Sequence, residues 1–221
     1  VVLDEADEML KRGFKDDLEK ILTFTKGKVN IWLFSATMPK GIQDIIHNYL
    51  SPDAHRIRVQ KDHEVNPDIT HEYVLCDRED KLNRLIRFIK GQGEEQGLIF
   101  CRTKKTTQTL AKQLEAKGFK VDAMHGDLKQ IERDKVMRAF KNKNLQMVVA
   151  TDISARGIDI KDLAFVCHFE QPDETEYYTH RSGRTARAGK KGISLSFVTT
   201  RDLEQLMLMA KTLGIKISGR K

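Results

Sequence analysis

Three carboxylate residues follow directly after an apolar run at the start of the sequence. The chain begins VVLDEADEML, which places Asp4, Glu5 and Asp7 behind a short predicted strand. Buried strands often end in this way, where carboxylates can reach a cleft. Mg²⁺ prefers oxygen ligands and keeps most of its waters, so Asp4 alone could hold the ion beside a triphosphate. Glu5, on the opposite side of an extended backbone, could orient a water for attack on the γ-phosphate. A solvated acidic turn is the alternative.

A second polar group ends the next predicted strand, NIWLFSAT. Ser35 and Thr37 carry hydroxyls that could hydrogen-bond neighbouring carboxylates or a histidine across a cleft. The tripeptide is a weak signal, because capping of the following helix by Thr37 explains it equally well.

The stretch ATDISARGIDI, residues 150–160, is typical of a phosphate contact. Thr151 and Asp152 end a predicted strand, and Arg156 and Gly157 follow in a tight loop. A hydroxyl, a guanidinium and a closely approaching backbone at a strand's carboxyl end suit a phosphate. Asp159 is then well placed for a ribose hydroxyl. A capped turn with a salt bridge remains the alternative.

The stretch HRSGRTARAG, residues 180–189, carries arginines at every third position. On a helix, Arg181, Arg184 and Arg187 would share one face and repel each other unless anions lie opposite. Such arginines can stabilise charge on a transferring phosphoryl group. A basic stripe that faces RNA is the competing explanation, and composition does not separate the two.

These stretches lie in an alternation of strand-like and amphipathic helical segments. The pattern predicts an α/β fold with parallel sheets and flanking helices. HRIRV, residues 55–59, is predicted as a further strand, and the periodicity breaks between residues 60 and 69, which we interpret as a linker. Residues 70–221 are long enough for a complete domain, whereas residues 1–59 resemble the second half of one.

The composition favours a polyanionic partner. The 221 residues carry a net charge of +7, with a pI near 9.2, which is typical of nucleic-acid binding, although a basic surface can also serve solubility alone. The sequence has no run of about 18 apolar residues, so it predicts no membrane-spanning helix. The cysteines are too widely spaced for a metal site or a disulfide framework, which indicates reduced thiols and a cytoplasmic protein.

Taken together, the motifs resemble those of the DEAD-box RNA helicases of superfamily 2, in the same order along the chain. Asp4-Glu5-Ala6-Asp7 is the DEAD motif and Ser35-Ala36-Thr37 is SAT. LIFCRT (98–103) resembles motif IV, Gln130 with Arg133 fits the QxxR element, Thr151 to Asp159 resemble motif V, and His180 to Arg187 resemble motif VI. Six ordered matches make coincidence negligible.

The resemblance implies a role for each matching residue. Asp4 would hold Mg²⁺, Glu5 would be the hydrolytic base, and Asp159 would contact the ATP ribose. Arg184 and Arg187 would be arginine fingers. Nucleotide state would be coupled to domain closure by Asp7, Ser35, Thr37 and His180, and the RNA backbone would be contacted, with little sequence specificity, by Arg102, Gly126, Gln130, Arg133 and Thr151.

The resemblance also implies two RecA-like domains, the first represented here only by its C-terminal part. The resemblance implies an ATP-dependent RNA helicase. Because the sequence contains no GxxxxGK[ST] phosphate loop, we expect these 221 residues alone to lack significant ATPase activity. Ser182 and Ala186 replace residues that are commonly Ile and Gly in motif VI. Two rival functions are a DNA-directed motor and a non-enzymatic RNA-binding or protein-docking module that self-associates through a sheet edge.

Overall fold

The chain divides into two compact units. The computed structural model describes residues 1–25, 27, 29–57, 65–155, 162–186 and 189–220. The units are Val1–Gln60 and Lys61–Lys221. Residues 60–64 of the predicted linker lie outside the described residues.

The first unit joins two short parallel strands to three helices, which are β1 (Val2–Leu3), α1 (Ala6–Lys11), α2 (Lys15–Thr25), β2 (Trp32–Leu33) and α3 (Lys40–Tyr49). Val2 pairs with Trp32 and Leu3 with Leu33. The apolar faces of the helices cover this pair and bury a core made of Leu3, Ala6, Leu18, Leu22, Ile42 and Ile45. The strand prediction for HRIRV is wrong for His55–Ile57, which adopt no regular structure; residues 58–59 lie outside the described part.

The second unit is built on a parallel seven-stranded sheet, as the alternating pattern predicts. Its strands are β3 (Ile69–Leu75), β4 (Gly97–Phe100), β5 (Val121–Met124), β6 (Met147–Ala150), β7 (Phe165–His168), β8 (Gly192–Val198) and β9 (Ile217–Gly219). They lie in the order β5-β6-β4-β7-β8-β3-β9, and every pairing is parallel. The connecting helices are α4 (Lys81–Gly91), α5 (Lys104–Glu115), α6 (Gln130–Lys141), α7 (Asp152–Ala155), α8 (Thr175–Ser182) and α9 (Thr200–Leu213).

Both faces of this sheet are buried, which explains why strands β4 and β6 are continuously apolar. Successive residues of β4 alternate between two core clusters: Leu98 and Phe100 belong to one and Ile99 to the other. β6 does the same with Val148 and Val149. None of the helices in the described part of the chain is long and apolar enough to cross a membrane.

The expected helix face with three arginines does not form. Helix α8 ends at Ser182, and Gly183, its C-cap, donates its amide to the Thr179 carbonyl at 2.8 Å. The chain then turns, because Thr185 bridges to Leu163 beside the sheet. Arg184 therefore lies beyond the helix, and Arg187 lies outside the described residues.

A buried polar network fastens α8 to the sheet. We use this name for His71 of β3, His168 of β7, Ser194 of β8, and Tyr178 and Ser182 of α8, all of which are buried. The Tyr178 hydroxyl lies 2.8 Å from His71 Nδ1, and Ser194 Oγ lies 3.0 Å from His168 Nε2 and 2.9 Å from Ser182 Oγ. The rings of His168 and Tyr178 stack, with centroids 4.6 Å apart.

Burial keeps the two histidines of this network neutral. It lowers the pKa of His71 to about 4 and also lowers that of His168, where nearby Arg181 adds to the effect. Since a histidine in the unfolded chain has a pKa of about 6.5, the unfolded state binds more protons between these values. The free energy of unfolding must therefore fall as the pH is lowered through that window.

The second unit is expected to lose stability between pH 6.5 and pH 4, by up to about 1.4 kcal/mol per pH unit for His71. His71→Gln should make this slope shallower. Urea unfolding followed by ellipticity measures it, and fluorescence of Trp32, the single tryptophan, reports the first unit separately. The same change at the exposed His55 is the control, and equal slopes for wild type and His71→Gln would contradict the assignment.

Candidate functional site

The DEAD residues lie where β1 passes into α1. Glu5 is the N-cap of α1 and has left-handed backbone angles, with φ 51° and ψ 43°. The expectation of an extended backbone at Glu5 is therefore wrong. Its amide donates to Asp4 Oδ1 at 2.9 Å, and the next amide, of Ala6, donates to the Phe34 carbonyl at 3.0 Å. These bonds turn the chain sharply and leave Asp4 exposed at the strand end. A left-handed glutamate costs about 1 kcal/mol or more, and such strain is common at functional sites.

Asp7 is the buried member of the acidic group, with 2% of its surface exposed. Its Oδ2 accepts hydrogen bonds from the Thr37 amide at 2.9 Å and from the Thr37 hydroxyl at 2.7 Å. Burial by itself would raise the pKa of Asp7, but hydrogen bonds, chiefly from Thr37 with a smaller contribution from Ser35, together outweigh it and hold that pKa below its usual value. Ser35 Oγ donates to the Thr37 carbonyl at 2.6 Å. Thr37 thus binds a carboxylate and leaves the N-cap of α3 to Pro39.

In the second unit, the predicted RNA contacts follow three adjacent strands. Arg102 comes after β4, Gly126 after β5 and Thr151 after β6, and these strands are neighbours in the order β5-β6-β4. Because the carboxyl ends of parallel strands meet at one edge of a sheet, the three residues share that edge. Gln130 is the first residue of α6, which begins there, and Arg133 lies one turn further along.

Arg133 and Thr151 meet at Ser154. Arg133 donates to the Ser154 carbonyl at 3.0 Å, and the Thr151 hydroxyl lies 3.0 Å from Ser154 Oγ. Ser154 Oγ also binds the Met124 carbonyl at 2.6 Å. Gln130 instead bonds Asp134 at 2.7 Å. The ends of β5 and β6 and the first turn of α6 are therefore held in one arrangement.

Arg102 forms an ion pair with Asp173 on the surface, and its amide donates to Glu170 Oε2 at 2.7 Å. At Gly126 nothing lies within 4 Å of the place where a Cβ would be. The loop after β5 therefore presents open backbone to solvent at this edge.

Helices α7 and α8 line a small recess of about 20 Å³ beside the same edge. His180 and Arg184 reach it, together with Asp152 and Arg181. Asp159, the predicted ribose contact, lies outside the described residues, as does Arg187. The predicted link between His180 and Asp7 joins residues of two different units and stays a prediction.

Arg181 is the charged group that organises this recess, and it is buried, with 1% of its side chain exposed. Its Nε and one terminal nitrogen bind the two carboxylate oxygens of Asp152 at 2.6 and 2.7 Å, and its other nitrogen donates to the Glu170 carbonyl at 2.8 Å. The guanidinium also lies over the Phe100 ring, 5.0 Å from its centroid. Since its donors are engaged inside the protein, Arg181 is a structural residue and not part of an RNA-facing stripe.

Sequence reasoning missed the Asp152–Arg181 pair although it singled out both stretches. The two residues are 29 positions apart, and no local spacing connects them. The residues of the buried polar network likewise gave no motif, except that Ser182 departs from the family pattern.

Family models match both units of the chain. Residues 1–45 match the DEAD/DEAH box helicase model and residues 80–189 match the helicase conserved C-terminal domain. The DEAD-box ATP-dependent RNA helicase CshA of Bacillus cereus is 41% identical over 96% of this chain. This chain belongs to the DEAD-box helicase family.

Solved structures of DEAD-box proteins agree in fold. A DEAD box protein from Methanococcus jannaschii is 41% identical over 100% of this chain, with a TM-score of 0.67. S. cerevisiae Dbp5 bound to RNA and ADP BeF3 is 32% identical over 99% of this chain, with a TM-score of 0.85. The chain spans 40% of CshA, 59% of the M. jannaschii chain and 58% of the Dbp5 chain, so it covers only about half the length of these DEAD-box relatives.

Asp152→Ala is expected to destabilise the second unit by about 3 kcal/mol, because it leaves the buried Arg181 charge without its carboxylate. Asp152→Asn should cost less, since its amide oxygen can still accept one bond. Urea unfolding followed by ellipticity measures both. Asp127→Ala is the control, because it breaks an ion pair with Lys104 that is exposed on both sides. Equal midpoints for Asp152→Ala and Asp127→Ala would contradict the assignment of Arg181.

Proposed function

We propose that the intact protein containing this chain is an ATP-dependent RNA helicase. It would couple ATP binding and hydrolysis to local unwinding of RNA duplexes or to remodelling of RNA–protein complexes. The proposal is supported by relatives named as ATP-dependent RNA helicases and by a neighbour solved with RNA and ADP BeF3. The observation that carries it is the convergence of the predicted RNA contacts on the carboxyl ends of β4, β5 and β6.

For nucleotide chemistry, we assign the metal to Asp4 and the hydrolytic base to Glu5. Asp4 fits Mg²⁺ because its carboxylate is exposed at a strand end and uses only Oδ1 for the Glu5 amide. One such oxygen suffices for an ion that keeps most of its waters; among the described residues, no group of three or more potential ligands forms a protein cage for a metal. The ion, when bound, would neutralise charge on the phosphates. Glu5 would accept the proton of the attacking water.

We assign Arg184 and Arg187 as the cations that stabilise charge on the γ-phosphate, and Asp159 as the ribose contact. Arg184 extends from the turn after α8 into the recess beside Asp152. A guanidinium suits this role because it is always charged and presents a planar fork of donors. His180 would join Asp7, Ser35 and Thr37 in coupling nucleotide state to closure of two RecA-like domains.

For RNA, the assignment is a backbone grip without base recognition. The edge carries the exposed guanidinium of Arg102, open backbone at Gly126 and the exposed amide of Gln130, and the buried Thr151 hydroxyl lies behind them against Ser154. Such groups suit phosphates and 2′-hydroxyls, which every RNA sequence provides. Clamping a strand in a bent form would separate it from its partner locally.

The domain organisation follows the family. Residues 1–59 would be the C-terminal part of a first RecA-like domain, residues 60–69 a linker, and residues 70–221 the second RecA-like domain. The 221 residues contain no GxxxxGK[ST] loop, so the intact protein would supply it.

The 221-residue chain is expected to show no significant ATPase activity, because it has no loop to bind the triphosphate. It should bind RNA weakly, with an affinity that falls steeply as salt increases. Phosphate release and fluorescence anisotropy with a single-stranded RNA measure the two properties. Glu5→Gln is the control, since any turnover that survives it comes from a contaminant or from chemistry other than the one proposed. Turnover that Glu5→Gln abolishes would contradict the expectation.

In the intact protein, Arg184→Ala is expected to lower kcat for RNA-stimulated hydrolysis by about 10³-fold, because charge on the transferring phosphoryl group loses its cation. The fold should be unchanged. Arg87→Ala, which removes an exposed arginine from α4, is the charge-matched control and should leave kcat near that of wild type. An unaltered kcat in Arg184→Ala would remove the assignment. Stimulation by matched DNA as strong as by RNA would favour the DNA-directed alternative.

A second function, association through the first unit, is favoured by one observation. Val2, Trp32 and Phe34 around the short sheet are exposed, and the last two rings stack 6.5 Å apart. Strand edges and apolar patches of this kind promote pairing between chains. Sedimentation of the 221-residue chain over a range of concentrations tests it.

A further inference from the structure

Helix α8 turns an unusually polar face toward the interior. Tyr178, Arg181 and Ser182 lie at spacings of three and four, so they share one side of the helix, and all are buried. A short helix normally docks through apolar side chains, which tolerate small rotations and slides. Here each inward residue ends in a polar group, and hydrogen bonds are directional. The position of α8 is therefore specified by bonds more than by packing alone.

The buried polar network supplies partners from three strands. His71 on β3 lies against the Tyr178 hydroxyl, and Ser194 on β8 lies against Ser182. His168 on β7 binds Ser194 through Nε2 and stacks on the Tyr178 ring. The strands β7, β8 and β3 are consecutive in the sheet. Both ends of the buried face of α8 are thus tied to a rigid surface.

The hydrogen-bond geometry assigns the protons of the two histidines. Among the described residues, His71 Nε2 and His168 Nδ1 are buried and have no hydrogen-bond partner. A buried N–H without an acceptor is costlier than an empty acceptor, so the protons belong on the other nitrogens. His71 Nδ1 therefore donates to Tyr178, and His168 Nε2 donates to Ser194. Tyr178 and Ser194 then act as acceptors, and each hydroxyl keeps one proton to donate elsewhere in the network.

Arg184 is connected to this face by main-chain bonds. Its amide donates to the Arg181 carbonyl at 3.1 Å, and the next amide, of Thr185, donates to the Ser182 carbonyl at 3.1 Å. Any rotation or slide of the last turn of α8 moves these carbonyls and the arginine with them. A cation that must meet a developing charge loses much of its effect when displaced by about 1 Å.

We propose that the buried polar network is a positioning device for Arg184: His71, His168, Tyr178, Ser182 and Ser194 fix the rotation of α8 and thereby the place of the arginine. This inference rests on the proposed function. The network residues are all buried, so they would act through Arg184 and not by touching a ligand themselves. Ser182, which departs from the residue common in the family, takes part in the device through its hydroxyl.

Ser194→Ala and Ser196→Ala form a matched pair for the test. Both serines are buried on β8, two positions apart. Ser194 joins His168 to Ser182, whereas the Ser196 hydroxyl has no partner with hydrogen-bond geometry within the described part of the chain. Tyr178→Phe adds a variant that removes one hydroxyl and keeps the ring.

In the intact protein, Ser194→Ala and Tyr178→Phe are expected to lower kcat for RNA-stimulated hydrolysis by about tenfold, with KM for ATP and affinity for RNA unchanged. Ser196→Ala should stay within about twofold of wild type. Hydrogen exchange of the 221-residue chain should be faster at residues 175–185 in the first two variants and unchanged in Ser196→Ala. A network with a merely structural role would change stability but would not lower kcat while leaving KM unchanged.

The proposal is overturned if Ser194→Ala and Ser196→Ala behave alike in both measurements, or if exchange at residues 175–185 rises while kcat stays at the wild-type value. A wild-type protein without RNA-stimulated hydrolysis would refute the proposed function. In that case the exchange measurement alone decides whether the network fixes α8, and equal exchange in all variants would overturn that part as well.

Discussion

The buried guanidinium of Arg181 is the interaction on which the second unit's candidate site depends. An isolated charge in a protein interior is strongly unfavourable, yet here it is matched by both oxygens of Asp152, a main-chain carbonyl and the face of Phe100. These partners come from the ends of β4, β6 and β7. Because the charge cannot be left without them, the strand ends and α8 are held in one relative arrangement, and the recess near Arg184 follows from it.

The parallel sheet imposes the second constraint. Every strand runs in the same direction, so all carboxyl ends lie on one edge of the sheet. Residues that follow the strands there are no longer covered by the flanking helices. This explains how Arg102, Gly126 and Thr151, which are far apart in sequence, come to one side. It also explains why β6 carries no polar residue until it ends: Met147–Ala150 is buried throughout, and the first hydroxyl follows at Thr151.

Local sequence patterns predicted much of this fold, whereas features that depend on contacts between distant residues were not predicted. The alternation of strand-like and amphipathic segments predicted an α/β fold, and residues such as QIERDKVMRAFK form a helix, α6, because apolar spacing and a polar start are local properties. The prediction that the arginines of residues 181–187 share one helix face was wrong, because α8 ends before Arg184 and Thr185 instead forms a bridge to Leu163. Glu5 was assigned an extended backbone because sequence does not reveal that the amide of Ala6 bonds Phe34, 28 positions away. His71 and Tyr178 belong to no sequence motif. Their role is evident only from the fold, which brings His71 Nδ1 within 2.8 Å of the Tyr178 hydroxyl.

In both units, a charged side chain with a predicted role in nucleotide chemistry lies three positions from a buried side chain of the same charge. In the first, Asp7 is buried and accepts two hydrogen bonds from Thr37, and the exposed Asp4 lies three positions before it. In the second, Arg181 is buried and paired with both oxygens of Asp152, and Arg184 lies three positions after it. In each pair the buried member has the same charge as its neighbour and therefore repels it slightly. The buried charge offsets that repulsion because its own partners fix the backbone three positions away from the second ion.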